Sequence, residues 1–404
     1  MERGLLRTCI AAGPGALFIS VWFASVGRSQ QPVPVSRLEK PLAEFPEGFS
    51  SLNALRELPD GRVMVLERCE SVVVLLDFAA RRFTQVARTG AGPGEYVRAA
   101  ALWALPGDSS AIYDRANLRF LVIDPTGKPG RFFRAPQSLA TRVGGFAVEA
   151  PFTVRGTDGR GRFYARQAGR RATEKGIVQD DSVPVERWDP LSGRRDTVGF
   201  YRVLRGGLVK DFTEPPFSTV IEWAVSPAGD VALVYPHDYH VEFISPAGAR
   251  KIGKPNPWTR VRLGKAHKER YRKEQQASVC ASSTSKIGFV PNVEKGKVDV
   301  VELRGGEEPK EWPEHLPPFL RSAVSFSPDG MLWVHRTGEV GEAPTYDLID
   351  STGRVVRRIL LQPGSKLLGF GKSRIFIARV DRDDLQYVQV FPSQALTASV
   401  PRSP

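Results

Sequence analysis

The side chains best suited to chemistry lie in short loops between apolar runs. His237, Asp238 and His240 stand within one short segment, and two imidazoles with a carboxylate can ligate a metal ion or transfer protons. A metal centre needs further ligands, and none is evident near this segment, so we favour a polar loop over a metal site. His335 ends a comparable apolar run later in the chain. This recurrence suggests that both histidine positions share one face of the fold.

Positive charge is concentrated in one stretch of the chain. The formal net charge is +13, and residues 250–274 hold ten Lys or Arg residues against two acidic ones. Residues 264–278 combine strong helix formers without proline, which predicts a helix. Its central cations are Lys268, Arg270, Arg272 and Lys273.

These cations suit an anionic partner, for example an anionic envelope polymer, or form the solvated face of a connector helix, which we favour. Nucleic acid is a poor candidate because no series of base-stacking aromatic residues accompanies the charge.

The composition excludes a long helical architecture. The 404 residues include 38 Gly and 32 Pro, far more helix breakers than a bundle or coiled coil contains. With 41% hydrophobic and 25% charged residues, the chain can bury a sizeable core. Three cysteines do not make a disulfide scaffold. Cys69 and Cys280 could pair across a long loop, but we expect two buried thiols.

A repeat of turns and apolar runs organises these elements. Four turns open the clearest copies: Leu58–Gly61, Leu105–Asp108, Ser226–Gly229 and Ser327–Gly330. In each copy, a second turn follows. The spacing from the proline of the first turn to the residue that opens the second turn is 18 residues in three copies and 22 in the fourth. Short runs rich in Val, Ile, Leu, Phe and Tyr are typical of strands, and Pro with Gly suits type I turns. Each copy predicts a four-stranded antiparallel meander.

Two degenerate copies, near Thr157–Gly159 and Phe370–Lys372, complete a set of six. A four-stranded sheet cannot bury both faces alone, whereas six sheets arranged radially bury each face against the next. The sequence therefore predicts an all-β, six-bladed β-propeller over residues 50–393, with one helical insertion at 264–316 between blades four and five. A seventh blade over Ile287–Leu303 is the alternative, disfavoured because that stretch contains a single hairpin.

The two ends of the chain predict export and ring closure. Residues 1–30 read as a signal peptide, with basic Arg3 and Arg7 before an apolar run. Retention as an anchor is the alternative, although the run is short for a membrane span. Residues 31–49 are expected to close the last blade, with Leu38–Phe45 as its fourth strand, and 394–404 to form a disordered tail. We expect a periplasmic or secreted monomer without a membrane span after cleavage.

Residues 88–134 resemble the NHL-type repeat. Three alternate glycines precede Glu95 and Tyr96, an Asp114-x-x-Asn117-x-Arg119 segment follows, and a turn closes the unit. Exported bacterial six-bladed β-propeller proteins carry NHL-like repeats, and elsewhere in this chain only the turns match. The resemblance implies a propeller that binds a ligand or protein or, in some relatives, performs hydrolase or lyase chemistry. A nucleotide loop is excluded because a proline interrupts the glycines and no helix follows.

In such a propeller, the loops between second and third strands and the loops between blades lie on one face, here called the loop face. Loops on a rigid scaffold commonly carry function. The candidate binding residues on this face are Glu95, Arg98, Asp114, Asn117, His237, Asp238, His240 and His335.

Whether the protein is an enzyme stays open in the sequence. Propeller lactonases hold a divalent cation with Glu, Asn and Asp, and Glu95, Asn117 and Asp238 are the nearest analogues by type. The spacing does not bring them together, and no Gly-x-Ser-x-Gly elbow is present. We therefore assign no catalytic residues, no metal ligands and no resident cofactor, with Ca or Zn as the alternative. A binding module for a ligand or protein is favoured, and a metal-dependent hydrolase or lactonase is the alternative.

Overall fold

A computed structural model describes residues 32–90, 92–136, 141–143, 146–148, 153–166, 169–173, 176–203, 207–208, 216–277, 287–292, 297–302, 309 and 311–396. Residues from Val33 onward belong to one compact unit. The predicted signal peptide lies outside the described residues. In the described part of the chain, no helix has the length and hydropathy of a membrane span.

Two short strands precede the first blade, β1 (Val35–Arg37) and β2 (Ala43–Glu44). Blade one contains β3 (Leu52–Glu57), β4 (Val63–Glu67), β5 (Val72–Asp77) and β6 (Arg82–Ala87). Blade two contains β7 (Ala99–Ala104), β8 (Ser110–Asp114), β9 (Arg119–Ile123) and β10 (Pro129–Arg134). A hairpin of β11 (Thr141–Val143) and β12 (Phe146–Val148) follows.

The next region interleaves blade three with a small additional sheet. In chain order its strands are β13 (Thr153–Thr157), β14 (Phe163–Arg166), β15 (Arg170–Thr173), β16 (Gly176–Gln179), β17 (Ser182–Trp188), β18 (Arg195–Arg202) and β19 (Gly207–Leu208). Blade three is β13, β14, β17 and β18, while β15, β16 and β19 form the extra sheet. Blade four contains β20 (Glu222–Val225), β21 (Val231–Tyr235), β22 (His240–Ile244) and β23 (Arg250–Ile252).

An insertion then precedes the last two blades. It contains α1 (Lys265–Ala277) and a hairpin of β24 (Ile287–Asn292) and β25 (Lys297–Glu302). Blade five contains β26 (Val324–Phe326), β27 (Leu332–His335), β28 (Thr345–Ile349) and β29 (Val355–Leu360). Blade six contains β30 (Ser365–Phe370), β31 (Arg374–Val380) and β32 (Gln386–Pro392). The predicted six-bladed propeller with a helical insertion is confirmed, and the β24–β25 hairpin adds no seventh blade.

The N-terminal segment completes the outer edges of two blades. Strand β2 pairs antiparallel with β32 as the fourth strand of blade six, and β1 pairs parallel with β29 as a fifth strand of blade five. The strand in blade six is shorter than the Leu38–Phe45 run expected from the sequence. Leu38 instead donates its N–H to the carbonyl of Leu360, and its side chain is buried in the core between blades five and six.

The repeated turns form as their residues dictate. Gly61, Gly229 and Gly330 all have φ between 83° and 94°, a range that glycine adopts without strain. Each donates its N–H to the carbonyl three residues earlier, which closes the turn between first and second strands. This local geometry explains why the turn spacing predicted the blades.

Apolar clusters between neighbouring blades hold the ring together. Buried tyrosine hydroxyls add hydrogen bonds across these interfaces: Tyr96 accepts from the Val73 N–H, Tyr239 donates to Asp347, and Tyr346 accepts from the Leu367 N–H. Burial raises the pKa of Tyr96 and of Tyr346 to about 12. These hydroxyls therefore stay protonated at physiological pH.

One expectation about cysteine is corrected. Cys69, in the loop between β4 and β5, is disulfide-bonded, so the prediction of two free buried thiols is wrong for this residue. Cys69 lies half-buried in this loop, where the protein does not enclose its sulfur as it would in the core. Cys9 and Cys280 lie outside the described residues.

Candidate functional site

The first strand of each blade lies nearest the propeller axis, because the last strand or the N-terminal segment forms the outer edge. First strands of neighbouring blades contact one another at five of the six interfaces, all except that between blades five and six. Their starting residues, and the ends of the second strands beside them, surround the loop-face end of the central channel. We call this region the channel mouth and define it by Arg155, Arg166, Glu222, Arg321, His335 and Lys366.

The NHL-like segment stabilises its own loops. The Glu95 carboxylate accepts the Gly92 N–H at 2.8 Å and pairs with Arg88 at 2.5 Å. These two contacts hold the pKa of Glu95 below its usual range. Arg98 uses its backbone N–H to bond Asp114, and its side chain is exposed. Glu95 thus shapes the loop between blades one and two.

Asp114 and Asn117 belong to a local network at the end of β8. The buried Asp114 carboxylate accepts from Asn117 Nδ2 at 2.6 Å, Arg98 N at 3.1 Å and Arg119 Nε at 3.3 Å. Burial alone would raise the pKa of Asp114, but the hydrogen bonds outweigh it and lower the pKa. The Asp-x-x-Asn-x-Arg pattern therefore serves to fix a loop.

The histidine-rich loop of blade four joins a second network. Asp238 Oδ1 lies 2.5 Å from His240 Nδ1, and the other ring nitrogen lies 3.5 Å from Glu242 Oε1. The His240 ring stacks on Tyr235 with centroids 4.6 Å apart. His237 is exposed at the loop tip. The structure brings Asp238 and His240 together and leaves His237 apart.

The three analogues of a lactonase cation site do not meet. Glu95 bonds its own loop, Asn117 bonds Asp114, and Asp238 bonds His240 two blades away. Across the described ranges, no group of three His, Cys, Asp or Glu side chains is arranged to hold a metal ion.

His335 lies at the channel mouth and is open to solvent, although protein atoms surround it closely. This dense surrounding, together with the nearby Arg270 guanidinium, lowers its pKa to about 4. Its ring stacks on Tyr346 with centroids 4.7 Å apart. A side chain that is both solvent-open and densely surrounded lines a concave space.

We expect His335 to stay neutral through the physiological range. In an NMR titration, its Hε1 resonance, assigned with His335→Gln, should move only below about pH 5. Because this pKa is lower than the unfolded value of 6.5, the contribution of His335 to folding is complete above pH 6.5. That contribution is lost as pH falls toward 4. A midpoint near 6.5 in the folded protein would contradict the burial argument.

Helix α1 rests on the loop face through contacts to three blades. His267 is buried and bonds the Gly338 carbonyl of blade five at 3.3 Å. Tyr271 packs against Phe217, which precedes blade four, with ring centroids 5.3 Å apart. Lys273 pairs with Asp384 of blade six at 3.1 Å. The helix therefore lies over the ring between blades four and six.

The basic residues predicted on this helix have separate surroundings. Lys268 and Arg272 lie over the Trp312 ring at 5.1 and 5.8 Å, while Lys273 takes the ion pair with Asp384. The charge of Arg270 lowers the pKa of His335, and its Nε lies 3.6 Å from Glu274 Oε1. This Nε is buried and has no hydrogen-bond partner in the described part of the chain. Arg270 is thus the member of the set associated with the channel mouth.

Sequence reasoning missed the charged cluster around Glu222. This buried carboxylate accepts the Ser322 N–H at 3.0 Å and lies 3.6 Å from Arg155 Nη1. Burial raises its pKa, while the nearby Arg155, Arg321 and Arg166 act in the opposite direction. No motif marks these residues, because they come from three blades and meet only in the closed ring.

Lys366 contributes a half-buried cation at the start of blade six. Its Nζ donates to the Leu52 carbonyl at 3.0 Å, which links blades six and one. Burial, reinforced by the charge of Arg68, lowers the pKa of Lys366. The mouth therefore gathers cations from both sides of the ring.

No protein-family model matches this chain, and no curated protein matches it. Among solved structures, it is similar to a catalytically inactive virginiamycin B lyase from Staphylococcus aureus with quinupristin, at 11% identity and a TM-score of 0.39, covering 88% of this chain and 98% of that chain. It is also similar to a DUF4221 family member from Bacteroides vulgatus, at 8% identity and a TM-score of 0.45, covering 88% and 97%. Regucalcin, a calcium-binding protein from Agrobacterium tumefaciens, gives 11% identity, a TM-score of 0.36 and coverage of 89% and 97%.

Proposed function

We propose that this protein is a binding module whose channel mouth takes an anionic ligand. The observation that carries the proposal is the set of charges acting there. The charged side chains that shift the pKa values of Glu222, Glu274, His335 and Lys366 are all arginines: Arg68, Arg155, Arg166, Arg270 and Arg321. Against the carboxylates of Glu222 and Glu274, these five arginines leave an excess of positive charge, and a concave site with an excess of one sign of charge concentrates ligands of the opposite sign.

The surroundings of two side chains support a concave mouth. The His335 side chain is open to solvent yet closely surrounded by protein atoms. The Glu274 side chain of α1 is also both exposed and closely surrounded. The Glu274 side chain is 63% exposed, but the protein around it is dense enough to raise its pKa. Both side chains fit a water-filled recess roofed by α1, and ligand sites are typically concave and pre-formed.

The ligand chemistry follows from the available side chains. Arginine offers paired donors that match carboxylates and phosphates. Neutral His335 adds a hydrogen-bonding group without adding charge at pH 7. With the leader predicted from Arg3, Arg7 and the apolar run after them, we propose that binding takes place outside the cytoplasm, in the periplasm or after secretion.

The test compares acidic and neutral probes of one shape. Calorimetry at pH 7 and low ionic strength would use D-glucuronate, glucose 6-phosphate and D-glucose. We expect an acidic probe to bind more tightly than glucose and to weaken on addition of 0.5 M NaCl. Arg270→Ala should weaken acidic binding about tenfold or more, since a hydrogen bond to a charged group is lost.

Arg260 provides the matched control, because it is an exposed arginine in the segment that leads from blade four to α1. Arg260→Ala should change affinity less than twofold. If acidic probes bind no better than glucose, or if both variants behave alike, the channel mouth is not an anion site.

A further inference from the structure

The helix over the proposed anion site brings an acidic side chain of its own, Glu274. Its Oε1 lies 3.6 Å from the Nε of Arg270, one helical turn earlier. Arg270 is the arginine of α1 whose charge acts on His335 at the channel mouth. A carboxylate of the protein therefore stands beside one of the cations that an acidic ligand would use.

The contact between Glu274 and Arg270 is loose. At 3.6 Å, the two atoms are too far apart for a normal hydrogen bond. The Arg270 Nε has no hydrogen-bond partner in the part of the chain that the structure describes. The pair thus offsets the charge of Arg270 but leaves this N–H without a bond, so a better partner for the guanidinium can replace the carboxylate.

The surroundings of Glu274 do not favour its charged form. The protein around this side chain raises its pKa, and the charge of Arg270 acts in the opposite direction without cancelling the rise. Arg270 therefore compensates the carboxylate only in part. Exposed ion pairs of this kind contribute little to stability, so opening the pair costs little.

Both side chains have room to exchange partners. The Arg270 side chain is 34% exposed and that of Glu274 is 63% exposed. Exposed side chains change rotamer within nanoseconds. Glu274 can therefore turn into water, while the exposed part of the Arg270 guanidinium stays available at the channel mouth without any movement of α1.

We propose that Glu274 is a built-in competitor of the ligand, which pairs with Arg270 when no ligand is bound and releases it to the anion of the ligand. The inference rests on the proposed function and deepens it, because it adds a regulation of the same site. Glu274 is tethered beside Arg270, and tethering gives it a high effective concentration. A ligand must therefore make further contacts at the mouth to displace it, whereas a small acid such as acetate has no advantage.

Glu274→Gln tests the competitor directly. Glutamine has nearly the helix propensity of glutamate, so the change removes the charge and keeps the helix. In calorimetry with D-glucuronate at pH 7, we expect about twofold to fivefold tighter binding, the range that corresponds to releasing a surface ion pair. A concentration of about 0.15 M NaCl limits the effect of net charge alone, because it screens charges beyond about 8 Å.

Glu269→Gln is the matched control, because Glu269 is an exposed acid of the same helix and its replacement changes the net charge equally. It should change the affinity for glucuronate less than about 1.5-fold. A double-mutant cycle gives the second test. In the Arg270→Ala background, Glu274→Gln should bring no gain, since there is no guanidinium left to release.

The outcomes distinguish this inference from the proposed function. Equal gains in both backgrounds, or an equal gain from Glu269→Gln, would reveal plain charge repulsion and contradict the competitor role. If Glu274→Gln leaves affinity unchanged or weakens it while Arg270→Ala weakens acid binding, the inference is wrong and the proposed function stands. If no acid binds the wild-type protein or Glu274→Gln, both proposals fail.

Discussion

Replacing Asp347 by alanine will lower the free energy of unfolding by about 3–5 kcal/mol, the cost of breaking a buried ion pair. Its carboxylate is fully buried in β28 and accepts from Arg336 Nη1 at 2.6 Å, Arg358 Nε at 2.8 Å and the Tyr239 hydroxyl at 2.9 Å. Removing it leaves the Arg336 charge buried without this carboxylate. It also removes the hydrogen bond that Tyr239 of blade four donates to blade five. Urea unfolding at pH 7 would measure the loss.

An exposed ion pair supplies the control for this variant. Lys273 and Asp384 lie 3.1 Å apart, with side chains 70% and 67% exposed. Asp384→Asn should therefore change stability by less than about 1 kcal/mol, as is usual for surface pairs. Equal effects for Asp347→Ala and Asp384→Asn would show that burial does not govern these interactions.

Phe45→Ala will destabilise the protein by about 3–5 kcal/mol, the range for deleting a buried aromatic ring. Phe45 follows β2, is 1% exposed, and packs in the cluster between blades six and one. Its ring meets Phe78 edge-on with centroids 5.3 Å apart. Losing it weakens the contact that joins the two ends of the chain into a ring.

Leu42→Ala tests whether the loss of stability depends on the burial of the side chain or only on its place in the N-terminal segment. Leu42 precedes β2 and is 66% exposed, so its truncation should cost less than about 0.5 kcal/mol. Thermal and urea unfolding of both variants would measure the difference. A small effect of Phe45→Ala would mean that the N-terminal segment contributes little to ring closure.

The blades were predictable because their signals are local. A proline and a glycine within a few residues set each turn, and the apolar runs between turns are the right length for strands. The recurrence of these turns predicted six blades, and the helix formers of residues 264–278 predicted α1. The exact extent of the closing strand was not predictable, because Leu38 is held by blade five, far away in the chain.

The candidate site was predictable only in part. Asp238 and His240 meet because they are close in sequence, and His335 was found because it ends a recognisable strand. Arg155, Arg166 and Glu222 carry no motif. Their association depends on blades three and four standing side by side.

The sequence by itself determined the architecture, since turn chemistry and apolar periodicity act over a few residues and repeat along the chain. It also determined the excess of basic residues. Only the tertiary structure decided which cations form ion pairs away from the channel mouth and which lie at the channel mouth. Lys273 of α1 pairs with Asp384 of blade six, whereas Arg155 and Arg166 lie near Glu222 at the channel mouth. Such differences arise from contacts between distant segments, whose geometry is set when the ring closes.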